Sequence, residues 1–244
     1  MLYWTLKNVA LGPALNLAYR PTVHGLHHVP RNGPAIIAAN HSSFFDSIAL
    51  PMIVPRQLRY PAKAEYFNQP GVKGRAMATF FRAVGQIPTD RSGGRKSLAA
   101  LSEAEQVLKD GDLLGIYPEG TRSPDGRLYR GRTGAVRLAL STGSPIIPVG
   151  LEGMTEIQPI EASLPKVRTF TATFGEPLDV VEHLRALHAG ESEEALDEMI
   201  RHPRRDDLRA ATDEVMRRIQ AITGQEYVDE YSSVVKARRA VQGA

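Results

Sequence analysis

Residues 35–46, AIIAANHSSFFD, limit what this chain can fold into more than any other stretch. Five apolar residues, Ala35-Ile36-Ile37-Ala38-Ala39, follow the turn signal Arg31-Asn32-Gly33-Pro34. A short, continuously apolar run between turn signals predicts a strand covered on both faces, as in the sheets of α/β proteins. The character changes at Asn40-His41-Ser42-Ser43, and residues 44–50 (FFDSIAL) continue as a helix. A buried strand that passes through polar residues into a helix places chemistry at the carboxyl end of a sheet.

His41 and Asp46 stand five positions apart. On one regular helix such residues point about 140° apart, because only i+3 and i+4 share a face. They meet only if His41 lies in the turn before the helix and Asp46 in its first turns. Asp46 then accepts the Nδ1 proton of His41, fixes the tautomer and leaves Nε2 as a general base. A second reading is open. Ser43-x-x-Asp46 is a capping box, with Ser42 or Ser43 as N-cap and His41 a surface residue. Residue types alone do not decide between the two.

A length of 244 residues suits one α/β domain with a sizeable core. The net charge of +3 is too small to argue for nucleic acid. It is compatible with an anionic membrane surface or a phosphorylated substrate. The absence of cysteine excludes disulfides, thiolate metal sites and a cysteine nucleophile. Neither a Gly-x-Ser-x-Gly elbow nor a phosphate-cradling glycine loop occurs.

Residues 1–21 form a first unit. The apolar run from Val9 to Tyr19 is too short to span a bilayer, which needs about 20 residues. Leu2, Tyr3, Trp4, Leu6, Val9, Leu11, Leu15 and Leu17, with Tyr19 near the end and Lys7 and Arg20 as polar anchors, predict a helix lying in a membrane interface rather than one packed plainly on the core. The only Trp of the chain lies here, which suits the headgroup level. Gly12-Pro13 is expected to kink or divide it. Residues 22–225 form the main domain, and residues 226–244 read as a basic, frayed tail.

Within the domain, Thr22–Pro30 (TVHGLHHVP) reads as extended, so that His27 and His28 point to opposite faces rather than to one metal. Residues 57–66 form a strand running into a turn. A helix over 71–84 is expected to turn Val72, Ala76, Phe80, Phe81 and Val84 inward. Residues 86–88 form a short strand ending in Thr89-Asp90-Arg91, and residues 95–109 an amphipathic helix. The apolar run 113–117 is a second buried strand, ending in Pro118-Glu119-Gly120-Thr121-Arg122-Ser123. Gly120 permits close backbone approach to a ligand, Thr121 offers a hydroxyl and Arg122 a planar cationic fork. Arg127, Arg130 and Arg132 read equally as a solvated basic loop or a membrane-facing rim. Residues 145–151 form a third buried strand, and residues 167–174 alternate as an edge or final strand. In the helical remainder, Leu208, Val215, Ile219 and Ile222 form one core-facing stripe.

HSSFFD resembles the His-x4-Asp motif of the glycerolipid acyltransferases, the lysophosphatidic acid acyltransferase family. Three more stretches match that family in order: GQIPTDR at 85–91, YPEGTRS at 117–123 and PIIPVGLEG at 145–153. The resemblance covers residues 22–153. It implies a single α/β domain with a mixed, mostly parallel sheet flanked by helices and an N-terminal interfacial segment. It implies transfer of a fatty acyl group from acyl-CoA or acyl carrier protein to lysophosphatidate, with glycerol 3-phosphate or another lysolipid as alternative acceptor. His41 and Asp46 would be the catalytic dyad. Arg91, Arg122 and Lys63 would contact the acceptor phosphate. Glu119 would hold its loop or bind a glycerol hydroxyl, with Gly120 and Thr121 in the same loop. No metal or cofactor beyond the acyl carrier is implied, and no nucleic-acid partner. The place of action would be the cytoplasmic face of a membrane, peripheral or monotopic. Two rivals are a thioesterase that passes the acyl group to water and a lipid-binding membrane protein without catalysis.

Overall fold

Strand β2 (Ala35–Ala39) is the centre of the molecule, and all five of its residues are fully buried. Its side chains alternate between two cores, as the period of a strand requires. Ala35, Ile37 and Ala39 enter one core, and Ile36 and Ala38 the other. The computed structural model describes residues 2–63, 65, 67–83, 85–89, 95–160, 162 and 164–242.

Seven strands form one sheet in the order β1-β8-β7-β2-β5-β3-β4. They are β1 (Thr22–His24), β2, β3 (Leu58–Lys63), β4 (Gln86–Thr89), β5 (Leu113–Ile116), β7 (Ile146–Glu152) and β8 (Thr171–Phe174). A separate short pair joins β6 (Leu128–Tyr129) to β9 (Tyr227–Val228). β2 runs parallel to β5 and β7, and β3 runs parallel to β5 and β4. The carboxyl ends of these five strands therefore share one edge of the sheet. β8 is antiparallel to β7 and parallel to β1, so the sheet is mixed and mostly parallel. β8 thus lies inside the sheet rather than at its edge, and it is the final strand of this sheet in chain order, the other expectation for it. The short β1 covers it.

Helices cover both faces. Leu15 of α2 (Leu11–Tyr19), Ala49 and Leu50 of α3 (Asp46–Ile53), and Met154 and Ile157 of α7 (Met154–Ile157) pack on one. The other takes α5 (Arg95–Lys109), α6 (Gly134–Thr142), α8 (Val180–Leu187) and α10 (Arg205–Thr223). Leu208, Val215 and Ile219 of α10 are buried there, as their stripe predicts. α9 (Glu193–Arg201) precedes α10 and is capped by Ser192.

Several local expectations need correction. α4 (Gly71–Ala83) turns Gly74 and Ala78 inward and leaves Val72 and Ala76 exposed, with Gly74 set against the Gln69 carbonyl too closely for a β-carbon. Val84 lies outside the described residues. Leu26–His28 is a 3-10 turn, which brings the His27 and His28 rings to 4.2 Å instead of splaying them. His28 Nδ1 meets the Phe174 carbonyl at 2.9 Å.

The N-terminal segment begins with α1 (Leu2–Thr5), widens to a π-helical stretch over Leu6–Ala10 and continues as α2. Pro13 would clash with the carbonyl of Val9 in a regular helix, and the widened turn relieves this. Lys7 is not an outward anchor. It is buried and donates to the Val54 and Arg56 carbonyls just past α3, and burial brings its pKa down to about 8. Trp4, Val9, Leu11 and Leu17 are exposed instead. Residues 226–242 are not a frayed tail. They hold β9 and α11 (Ser232–Gln242), with Ser232 and Val235 buried.

Candidate active site

The polar residues after β2 and β5 meet at the shared carboxyl edge of the sheet. Residues 40–45 leave β2 without helical structure, and α3 starts at Asp46. This is two residues later than the apolar pattern suggests. The break lets His41 turn back, so that its Nδ1 stands 2.9 Å from Asp46 Oδ2. Asp46 Oδ2 also accepts from the backbone N–H of Ser42 at 2.8 Å and of Ser43 at 2.9 Å. Phe45, not a serine, is the N-cap residue, although Ser43 Oγ accepts from the Phe45 N–H. The capping and dyad readings are thus not exclusive. The fully buried Asp46 carboxylate, at a helix N-terminus where negative charge is favoured, serves His41 and the acid half of the box, while no side chain caps the helix itself.

A carboxylate can only accept, so His41 Nδ1 carries the proton and Nε2 is the acceptor. Nε2 has no partner among the described residues. The imidazole stacks on Tyr117, with ring centroids 3.8 Å apart and planes 9° apart. Tyr117 in turn stacks on Tyr60 at 5.4 Å and meets Ser47 Oγ through its hydroxyl at 3.2 Å. Gly115 makes this stack possible, because a β-carbon there would collide with the rigid Tyr60 ring. Burial, with the Asp46 carboxylate nearby, raises the Tyr117 hydroxyl far above the usual phenol range.

The main chain of His41 is held from both sides. Its N–H donates to Glu119 Oε1 at 2.9 Å, and its carbonyl accepts from the Ser123 N–H at 2.7 Å. Glu119 Oε2 accepts from the Tyr129 N–H at 3.0 Å, so both oxygens of this buried carboxyl serve backbone amides. Burial pushes Glu119 up to about 8, against the pull of those two hydrogen bonds. Asn40 bonds both the N–H and the carbonyl of Leu151, tying the end of β2 to β7. Ser43 Oγ donates to the Gln158 carbonyl.

Gly120 has φ +77°, a left-handed turn that a side chain would strain. Thr121 and Arg122 follow it, both half-buried. The Arg122 guanidinium has no hydrogen-bond or ion-pair partner among the described residues. Lys63 ends β3 opposite Thr89 of β4, at the same edge of the sheet. Arg91 lies outside the described residues. Arg127 and Arg130 are half-buried and Arg132 is exposed, and all three have partners. They pair with Asp125 and Glu226, with Asp229, and with Ser233, and so fasten the C-terminal segment to this loop.

Two residues make contacts here that no motif assigns: Tyr117, although it opens the YPEGTRS stretch, and Lys236. Tyr117 stands at a strand end, a position that marks it. Lys236 has no local signal at all: it reaches the site only because α11 folds back, placing Nζ 3.0 Å from Thr121 Oγ1.

The family model described as Acyltransferase matches residues 20–152, more than half of the chain. A 1-acyl-sn-glycerol-3-phosphate acyltransferase of Bacillus subtilis is 32% identical over 146 residues, covering 59% of this chain and 68% of that protein. The chloroplastic enzyme of that name from Brassica napus is 32% identical over 142 residues, 58% of this chain and 40% of its own. The chain thus spans about two fifths of the chloroplastic relative's length. The crystal structure of the 1-acyl-sn-glycerophosphate (LPA) acyltransferase of Thermotoga maritima is similar with a TM-score of 0.54 and 25% identity. The match covers 80% of this chain and 71% of that one. The sheet with its helices, the ordered motifs and these matches agree, and the chain belongs to the glycerolipid acyltransferase family.

Proposed function

We propose that the protein transfers a fatty acyl group from acyl-CoA or acyl carrier protein to the free hydroxyl of lysophosphatidate, giving phosphatidate. The observation that carries this reading is the His41–Asp46 pair, with Nε2 left as an acceptor at the carboxyl edge of the sheet. The names of the similar proteins support the choice of acceptor.

The chemistry follows from that geometry. His41 Nε2 takes the proton of the acceptor hydroxyl as its oxygen attacks the thioester carbonyl. Asp46 stabilises the imidazolium that forms. The tetrahedral intermediate collapses, the C–S bond breaks, and the departing thiolate takes the proton back from His41. An ester and a thiol result, and no acyl-enzyme is needed. Base catalysis of this kind contributes roughly 10²–10⁴-fold. Stacking on Tyr117 and the clamps on the His41 main chain hold the base still, which lowers the cost of orientation. Arg122, with Lys63 and Arg91, would bind the acceptor phosphate.

The N-terminal segment would place the enzyme on the cytoplasmic face of a membrane. It turns its lysine inward and its Trp4, Val9, Leu11 and Leu17 outward, the reverse of a water-facing helix. Phe44 and Ile48, just beyond His41, are also exposed. Among the described residues, no helix is long and apolar enough to cross a membrane.

The test is thiol release from palmitoyl-CoA by purified protein with lysophosphatidate, with glycerol 3-phosphate, or with neither. His41→Ala is run alongside. Release that requires lysophosphatidate and is lost in the variant is expected. Equal release without any acceptor would overturn the reading in favour of a thioesterase.

A further inference from the structure

Arg122 and Lys236 bring two positive charges together at the loop after β5, and among the described residues neither forms an ion pair. Lys236 donates to Thr121 Oγ1 at 3.0 Å. Its own burial, and then repulsion from Arg122, lower its pKa below the usual lysine range. Glu119 attracts it, yet both Glu119 oxygens are already taken by backbone amides.

The placement is firmly built. Ser232, fully buried at the start of α11, donates to the Arg122 carbonyl at 3.0 Å. Lys236 comes four residues later and so projects from the same face of the helix. Arg132 donates to Ser233 at 2.9 Å, and Arg239 bonds Asp125 at 2.6 Å. Holding the Lys236 ammonium near a like charge, partly out of water, disfavours its charged form. An anion between them removes that cost. A phosphate suits the donors on offer: the planar fork of Arg122, the ammonium of Lys236 and the Thr121 hydroxyl.

We propose that Lys236, with Arg122 and Thr121, binds a phosphate group of a substrate, so that α11 forms one wall of the substrate site. Lys236 lies well outside residues 20–152, which the family model matches. This inference rests on the acyltransferase reading. Substrate phosphate has two sources there, the phosphomonoester of the acceptor and the phosphates of coenzyme A.

The test uses the full chain with Lys236→Met and Lys236→Arg. Thermal melts establish that both variants fold. Lys236→Met is expected to raise the KM for lysophosphatidate roughly 10- to 100-fold, the effect of losing a charge-assisted hydrogen bond. kcat falls far less. The preference for lysophosphatidate over the uncharged monoacylglycerol falls by the same factor, and Lys236→Arg restores most of both. A rise in the KM for palmitoyl-CoA instead would assign the phosphate to the donor. Unaltered KM values, or equal losses with charged and uncharged acceptors, would overturn the proposal. Equilibrium binding of glycerol 3-phosphate separates the two readings. Wild-type protein that transfers no acyl group, yet loses this binding on Lys236→Met, would sink the acyltransferase reading and keep the phosphate site. Normal transfer with no Lys236-dependent quantity would sink the phosphate site alone.

Discussion

Glu119→Gln separates charge from shape at the site. In the wild type both carboxyl oxygens accept from backbone amides, those of His41 and Tyr129. Glutamine keeps one acceptor and turns an NH₂ donor toward the other amide. A buried N–H left unpaired costs roughly 1–3 kcal/mol. The wild type carries a different cost, which depends on pH. Burial raises Glu119 from 4.5 to about 8, so the folded protein holds a proton that the unfolded chain has released between those values. Stability from this group is fully present below the unfolded value and is lost as pH rises through that window, by at most about 1.4 kcal/mol per unit. Between about pH 5.5 and 7.5 the wild type loses about 2 kcal/mol from this source, and the glutamine variant loses none of it. The variant's deficit is therefore largest at the acidic end and about 2 kcal/mol smaller at the other. Urea denaturation of both proteins at the two pH values, followed by far-UV circular dichroism, measures it. A deficit that is constant or widens with pH would refute the reasoning, because Glu119 would then already be ionised at the acidic end.

Asp46→Asn should lower kcat by roughly 10²–10⁴-fold. The melting temperature should fall little, since an amide oxygen can still accept from Ser42 and Ser43; near-normal turnover in steady-state assays would leave Asp46 as a cap only. Tyr117→Leu removes the ring stacked on His41 and should cut kcat roughly tenfold through loss of orientation, with Tyr117→Phe retaining more. Gly115→Ala forces a methyl group into the Tyr60 ring and should cost about 1–3 kcal/mol in a denaturation curve. Trp4→Ser with Leu17→Ser removes two exposed apolar side chains, each worth roughly 1.5–3 kcal/mol when buried, and should weaken sedimentation with phosphatidylglycerol vesicles by tenfold or more. Trp4 is the only tryptophan, so a blue shift of its emission on adding vesicles reports the same event in the wild type.

Much of the frame is legible in the chain because it is local. The five apolar residues of β2 need cover on both faces, and the polar residues behind them have to emerge at one end. The spacing of His41 and Asp46 already requires a break before the helix, and the break is there. What escapes a linear reading depends on contacts far apart in sequence. Nothing near Lys7 says that its ammonium turns inward to the carbonyls beyond α3. A stripe of Leu, Val and Trp looks the same whether its lysine faces water or core. The alternation of residues 171–174 identifies a strand but not its neighbours, and β1 takes the edge instead. Lys236 sits among arginines in what reads as a charged tail, and only the return of α11 gives it a role.

The clamps around His41 also set when the site can exist. His41 and Asp46 are neighbours in sequence, but their braces are not. Glu119, Leu151 and Gln158 bind residues 41, 40 and 43 across separations of 78, 111 and 115 positions. β2 itself finds its partners only in β5 and β7, which are made much later. Contacts of such long range slow folding, since loops must close before the contacts reward it. At the ribosome, synthesis at about 5–20 residues per second puts roughly 6–25 seconds between the appearance of His41 and that of Gln158. Through that interval the nascent chain carries its imidazole unoriented, and the base is assembled only when the far side of the sheet arrives.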